Sequence, residues 1–165
     1  MHAGVQVFRG QCQMESFDMM VGRWSVKNRR LDERFADCDQ WTEFDADYEC
    51  WSHMEGRVSI DRMSCVLNGT PFTGMSVRTL DAKTGDWTIY WMDSNGVTLL
   101  EQVRGKFIDG EGLFYGEDVI DGEAIPLRFT WTNTSPDEAR WTQAYKIPGT
   151  GTWETNWTMD FYRQR

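Results

Sequence analysis

The sequence has no long hydrophobic run and no apolar segment near its start. No stretch of the chain approaches the roughly 18 consecutive apolar residues that a transmembrane helix needs. Residues 1–17 also lack the apolar core of a secretory signal peptide. We therefore expect a protein of the cytoplasm that does not contact a membrane.

Positive charge is scarce as well. The chain has 17 Lys and Arg residues against 26 Asp and Glu residues, which gives a formal net charge of −9. A nucleic-acid-binding domain is expected to present a basic face, and no cluster of basic residues predicts one here. The acidic excess favours solubility and does not by itself indicate a function.

Histidine and cysteine are too few and too scattered to predict a metal or cofactor site. The histidines are His2 and His53, and no Cys-x-x-Cys spacing occurs among the four cysteines, which are Cys12, Cys38, Cys50 and Cys65. In a cytoplasmic chain we expect free thiols. Nucleophile signatures such as Gly-x-Ser-x-Gly and Gly-rich phosphate loops are missing too. The sequence thus predicts no metal and no cofactor, identifies no catalytic residue, and leaves open whether the protein is an enzyme.

What the chain does have is a succession of turn signals between short alternating segments. Asp109-Gly110 and Asp121-Gly122 are typical of two-residue hairpin turns. Longer turns are expected at 82–85 and 148–151, and two earlier strands around 41–50 and 51–66. Consecutive hairpins of this kind predict an all-β protein built as a single antiparallel up-and-down barrel of about ten strands. An immunoglobulin-like sandwich is the alternative.

The start of the chain is expected to differ from the rest. Residues 1–13 are interpreted as a flexible tail, and residues 14–21 as a short helix with Ser16 as its cap. The barrel domain would then span residues 14–165.

Several separated motifs resemble one family of small barrels. They are FDMMVGRW at 17–24, GMSVRTLD at 74–81, the pattern G-x-F-x-D-G-x-G-x-F-Y-G at 105–116, and TWETNWTMDF at 152–161. Together they resemble the DUF1579-like family of lipocalin-like domains. The resemblance implies a calycin-like barrel with a central pocket, closed where Arg163 on the last strand lies across Trp24 on the first. Related barrels bind hydrophobic small molecules, haem or reactive intermediates, and a few act as cyclases.

Strand alternation predicts which side chains face the interior. The inward set is mostly aromatic with a few polar groups, among them Arg30, which is the usual composition of a small-molecule site. The residues that we predict to contact a ligand are Asn28, Tyr48, Arg78, Trp91, Trp131, Gln143, Tyr145 and Trp157.

Arg78 is the most informative of these residues. A four-residue turn at 82–85 would align Arg78 with Ile89 and so place it inside the barrel. A buried guanidinium needs either a carboxylate or an anionic ligand as its partner. Glu101 is a candidate for the carboxylate.

The facing of the last strand depends on the loop at 148–151. A simple loop would place Glu154 and Asn156 inside the barrel. A bulged loop would instead place four large apolar residues inside, which are Trp153, Trp157, Met159 and Phe161. We favour the bulged loop, because four such residues are unlikely to face water together.

One cluster of side chains is predicted on the outer face of the barrel. Arg104, Tyr115 and Arg128 should lie side by side, as an outward cross-strand row.

We expect the barrel to bind a small, largely apolar molecule that carries a polar or anionic group. The alternative is a cofactor-independent cyclase or isomerase that holds a natural-product intermediate in the same cavity. A homodimer formed through Met75, Tyr90 and Met92 is a further hypothesis.

Overall fold

The structure, a computed structural model, describes residues 14–165, apart from the side chain of Glu101. The tail predicted at 1–13 lies outside the described residues. The short helix is confirmed as a single turn of 3₁₀ helix over Phe17–Met20. Ser16 caps it as predicted, since its hydroxyl accepts a hydrogen bond from the Asp18 backbone N–H at 3.2 Å.

Ten antiparallel strands follow and close into a barrel. Each strand pairs with its neighbours along the chain, and β1 pairs with β10 to complete the closure. The all-β up-and-down barrel predicted from the sequence is therefore confirmed, and the sandwich is excluded. The strands are β1 (Gly22–Leu31), β2 (Trp41–His53), β3 (Val58–Leu67), β4 (Thr70–Leu80), β5 (Trp87–Asp93), β6 (Gly96–Ile108), β7 (Glu111–Ile120), β8 (Glu123–Ser135), β9 (Glu138–Lys146) and β10 (Trp153–Arg163).

Two-residue turns fix the register of three hairpins. Asp109 and Asp121 each have φ of 52°, and the glycine after each has φ of 84°, as a type I′ turn requires. Both predicted turns are thus confirmed. Asn68 and Gly69, with φ of 51° and 78°, form a third turn of the same kind between β3 and β4, which the sequence analysis did not identify.

The division predicted between the second and third strands is wrong. We expected a break after residue 50, but β2 continues to His53 and β3 begins at Val58. The link contains Met54, Glu55 and Gly56, which have φ of 50°, 58° and 83°. The side chains give no strong turn signal at the first two positions, and only the glycine marks the reversal.

The junction of the first and last strands closes one end of the barrel. Arg163 is the register partner of Trp24, and its guanidinium carbon lies 4.1 Å from the centroid of that indole. The same guanidinium donates to the carbonyls of Val21 and Met19 at 2.8 and 2.6 Å. The indole N–H of Trp24 donates to the Met20 carbonyl at 2.8 Å. The predicted stacking of Arg163 on Trp24 is confirmed.

Phe17 fills the barrel at this closed end. Its ring centroid lies 5.0 Å from those of Trp87 and Phe107, and 5.7 Å from those of Phe114 and Trp131. Phe17 is completely buried. We call the end of the barrel formed by Phe17, Trp24 and Arg163 the floor.

The last strand combines the two facings that the sequence left open. Trp153 pairs with Lys146 across a simple loop, and a bulge between Thr155 and Trp157 then shifts the register. Trp157 pairs with Gln143 and faces the interior with Met159 and Phe161, as predicted.

The prediction that Trp153 faces the interior is wrong. The bulge lies within β10, after Trp153, and not in the loop before it. Asn156, which we had excluded from the interior, lines the cavity next to Trp157, because a bulge allows two successive side chains to face the same way.

Candidate ligand-binding cavity

A cavity of about 340 Å³ occupies the barrel above the floor. Its wall combines aromatic and aliphatic side chains with nearly as many polar and charged ones, and its tryptophans come from β5, β8, β9 and β10. The apolar lining residues are Met63, Leu67, Phe72, Ile89, Trp91, Phe129, Trp131, Trp141, Trp157, Met159 and Phe161. The volume is that of a small-molecule site, and the wall is more polar than that of most such sites.

All of the predicted ligand contacts except Asn28 line this cavity. Asn28 is buried behind the wall, and its side-chain oxygen accepts a hydrogen bond from the Trp157 indole N–H at 3.0 Å. Asn28 therefore orients a lining residue and does not itself reach the cavity. Arg78 is aligned with Ile89, as predicted from the four-residue turn, and Ser76 is aligned with Trp91.

Arg78 is buried and forms an ion pair with Asp61 on the neighbouring strand β3. The side chains of the two residues are 2% and 3% exposed, so solvent does not screen the pair. The carboxylate partner of Arg78 is thus Asp61. The sequence had suggested Glu101 instead, and the side chain of Glu101 lies outside the described part of the chain.

Other buried groups complete what we call the Arg78 network. Tyr48 donates its hydroxyl to Asp61 at 2.9 Å, and the Ser76 backbone N–H donates to the other carboxylate oxygen at 3.0 Å. Arg78 also donates to the Ser59 hydroxyl at 3.2 Å. Asp61 therefore receives hydrogen bonds at both oxygens, which is what a buried carboxylate requires.

The protonation states in the network follow from burial and charge. Burial alone would lower the pKa of Arg78, but the Asp61 carboxylate together with Tyr48 and Cys50 more than offsets it, so the pKa lies above its usual value. Burial raises the pKa of Tyr48 well above that of a free phenol. The network consequently holds a cationic Arg78 and a neutral Tyr48 at neutral pH.

Three buried donor groups have no acceptor among the described residues, and each is almost completely inaccessible. They are the Nε–H of Arg78, the indole Nε1–H of Trp131 and the side-chain amide of Asn28. The guanidinium carbon of Arg78 lies 5.4 Å from the Trp131 ring centroid. Unmatched buried donors are rare in folded proteins, because each costs roughly 1–3 kcal/mol.

The open end of the cavity, which we call the mouth, lies opposite the floor. Tyr145 donates its hydroxyl to Asp118 at 2.7 Å, and Gln143 contacts both Tyr145 and Asn156, at 3.5 and 3.3 Å. Burial, with the hydrogen bond to Asp118, raises the pKa of Tyr145. Arg30 and Arg34 also line the cavity here.

Sequence reasoning missed Asp61, although the sequence carried a signal for it. The Asn68-Gly69 turn pairs Leu67 with Thr70 and so sets the register of the whole hairpin. In that register Asp61 pairs with Ser76, one inward position from Arg78. Recognising the turn would have placed this carboxylate beside the arginine.

The predicted outer row forms on the outside of the barrel. Tyr115 pairs with Arg104 on one side and with Arg128 on the other, and Tyr115 is 51% exposed. The Arg128 guanidinium lies over the ring of Trp153, 4.7 Å from its centroid. Trp153 thus packs in this outer cluster and not in the cavity.

Residues 14–165 contain no group of three or more His, Cys, Asp and Glu side chains arranged to hold a metal ion. In the same part of the chain, no helix is long and apolar enough to cross a membrane. Cys38, Cys50 and Cys65 are free thiols, whereas Cys12 lies outside the described residues.

Comparison with known proteins supports the fold and not a function. No protein-family model and no curated protein matches the chain. The S-type phycobiliprotein lyase CPES from Guillardia theta is similar in structure, with a TM-score of 0.58 at 13% identity over 90% of each chain. Rv2717c from M. tuberculosis is similar as well, with a TM-score of 0.54 at 10% identity over 90% of this chain and 95% of that one. At such identities the likeness establishes a shared barrel fold.

Proposed function

We propose that the barrel binds one small, largely apolar molecule in its central cavity. The observation that carries this proposal is a space of about 340 Å³ inside the barrel, lined by aromatic rings and by polar side chains from several strands. A molecule with an apolar body and at least one polar group would match both parts of this wall. The lining residues predicted from the sequence are the proposed contacts.

The charge of Arg78 bears on which end of the ligand lies deepest. The sequence left open whether Arg78 meets a protein carboxylate or a polar group of the ligand, and Asp61 neutralises it. A negatively charged ligand group beside this pair would be repelled by Asp61, so we expect a neutral part of the ligand at this depth.

Two tryptophans on β10 provide a test of binding. Trp157 lines the cavity, whereas Trp153 lies outside the barrel, so the two report on opposite faces of one strand. We expect the neutral dye N-phenyl-1-naphthylamine to quench tryptophan fluorescence and to gain fluorescence itself. Trp157→Phe should reduce the quenching, and Trp153→Phe should not.

The result that would overturn the binding proposal is equally specific. If neither this dye nor a panel of apolar alcohols and ketones changed the fluorescence or the melting temperature, the cavity would not be a binding site. Equal loss of quenching in both variants would place the dye outside the cavity.

A cyclase or isomerase is the second candidate, and one observation favours it. The neutral phenol of Tyr145 is hydrogen bonded to the Asp118 carboxylate at 2.7 Å in the cavity wall. Such a pair can take a proton from a bound substrate, because the phenol oxygen accepts it while the hydroxyl proton passes to Asp118, and the reverse transfer returns it. Tyr145→Phe should then abolish turnover while leaving dye affinity unchanged, and unchanged turnover in that variant would refute the role.

Three further hypotheses remain with this proposal. Membership of the DUF1579-like family rests on the motifs given above, and a cytoplasmic location rests on the composition. A homodimer would use Met75, Tyr90 and Met92, of which Met75 and Met92 are register partners on β4 and β5. Light scattering that finds a monomer at high concentration would exclude that dimer.

A further inference from the structure

The cations of β1 fall into two groups according to the face of the barrel that they occupy. On the outer face, Arg23 pairs with Glu49 at 3.3 Å, and Lys27 pairs with Asp45 at 2.8 Å. Arg30, on the inner face, forms no ion pair and no hydrogen bond with any described residue. The strand therefore matches its outward charges with carboxylates and leaves its inward charge without one.

The contrast is sharpest between Arg29 and Arg30, which are adjacent in sequence. Each guanidinium lies over a tryptophan, at 5.1 Å from the centroid of Trp41 for Arg29 and at 5.2 Å from that of Trp157 for Arg30. Arg29 also forms an ion pair with Glu43 at 3.0 Å. Arg30 has the same contact with an aromatic ring, but no carboxylate of the described residues pairs with it, and its side chain lines the cavity.

Arg34 brings a second guanidinium to the mouth. Its guanidinium carbon lies 5.3 Å from the ring centroid of Tyr145, and it too forms no ion pair or hydrogen bond among the described residues. Burial and the positive charge of Arg34 both lower the pKa of Arg30. Two arginines that repel each other at a cavity mouth are stabilised when an anion binds to both.

The carboxylates near the mouth are engaged elsewhere. Asp118 accepts the hydroxyl of Tyr145 at 2.7 Å. Glu154 accepts the backbone N–H of Phe35 with both oxygens, at 3.0 and 3.2 Å. Because stacking on an aromatic ring uses the face of a guanidinium and not its edge, the N–H groups of Arg30 and Arg34 stay available to a ligand.

We propose that Arg30 and Arg34 form a carboxylate subsite, so that the ligand class is an apolar carboxylic acid that binds with its acid group at the mouth. This inference rests on the proposed binding function. The apolar body of the acid would extend towards Trp131, and its carboxylate would receive charge-assisted hydrogen bonds from the two guanidiniums. The anionic group predicted from the sequence is thereby assigned to the mouth and not to Arg78.

The test compares two probes that differ only in the acid group. Dodecanoate and dodecan-1-ol would each be used to displace N-phenyl-1-naphthylamine, which is neutral and reports on the cavity alone. We expect the Arg30→Gln/Arg34→Gln double variant to weaken dodecanoate binding by roughly 10–100-fold, as the loss of charged hydrogen bonds predicts. Affinity for dodecan-1-ol and for the dye should not change.

Two controls make the result specific. Arg29→Gln removes the neighbouring guanidinium from the outer face and should leave dodecanoate affinity unaltered. Added salt should weaken dodecanoate binding to the native protein and have little effect on dodecan-1-ol. Unchanged dye binding by the double variant would show that its cavity is intact.

The outcomes separate this inference from the function on which it rests. If the dye and dodecan-1-ol bind but dodecanoate binds no better than the alcohol, or is insensitive to the double variant, the carboxylate subsite is refuted and the binding function stands. If neither the dye nor any probe binds the native protein, both proposals fail. A similar loss in Arg29→Gln would indicate a non-specific charge effect and also refute the subsite.

Discussion

Replacing Asp61 with asparagine should be among the most destabilising isosteric changes in this barrel. The variant keeps the size of the side chain and removes the charge that neutralises Arg78. Both side chains of the pair are at most 3% exposed, so water cannot take over the role of the carboxylate. Leaving one member of a buried ion pair alone costs about 3–5 kcal/mol.

Urea unfolding followed by tryptophan fluorescence would measure this cost. With an m-value of about 2 kcal/mol/M, a loss of 3–5 kcal/mol lowers the midpoint by about 1.5–2.5 M urea. Asp45→Asn is the matched control, because it breaks the ion pair with Lys27 on the outer face, where both side chains are mostly exposed. Its midpoint should barely move.

A double variant distinguishes a buried charge from a general packing defect. Asp61→Leu combined with Arg78→Met removes both charges and should recover part of the lost stability, since a buried pair replaced by apolar residues is often neutral, whereas the Tyr48 hydroxyl and the Ser76 N–H still lack their acceptor. The reasoning would be refuted if Asp61→Asn moved the midpoint no further than Asp45→Asn. It would also be refuted if the double variant were as unstable as the single one.

Three further predictions concern the floor, a close strand contact and a buried thiol. Arg163→Met loses the hydrogen bonds to backbone carbonyls and the contact with Trp24, and should cost about 2–4 kcal/mol in urea unfolding; a smaller loss than for Arg23→Met would contradict the structural role. Gly105→Ala would bring a methyl group to 2.7 Å from a backbone carbon of β7 and should cost about 3 kcal/mol, whereas Gly96→Ala on the same strand meets nothing within 4 Å and should be tolerated. Burial raises the pKa of the Cys50 thiol in the folded protein. The unfolded chain therefore ionises at lower pH, and the free energy of unfolding decreases as the pH rises past 9.0, the ordinary pKa of a thiol. Cys50→Ser should flatten that decline in alkaline urea titrations, and an unaltered slope would exclude the thiol as its cause.

The fold could be predicted from the sequence because its determinants are local. Each Asp-Gly pair specifies a turn type, and the turn type specifies the register of the two strands beside it. Alternation then assigns the faces, which is why Trp131 is buried as predicted, with Leu127 and Phe129 on the same face of β8. Failures occurred where the signal was weak or unused, as at the link after His53 and at the Asn68-Gly69 turn.

The cavity was predicted in outline, but its electrostatics were not. Whether Arg78 meets a ligand or a protein carboxylate depends on a residue from another strand, and its register was needed to find Asp61. The bulge in β10 could not be derived either, since both facings bury plausible side chains. A bulge after Trp153 leaves Trp153 outside and lets both Asn156 and Trp157 face the interior. Only the pairing of β9 with β10 shows where that bulge lies.

The pairing of the first and last strands has a consequence for the folding of the chain. Trp24 and Arg163 are register partners, so β1 has only β2 beside it until β10 has been made. At a synthesis rate of 5–20 residues per second, that interval is roughly 10 s. During it, β1 presents an unpaired edge, the kind of surface that promotes aggregation between nascent chains.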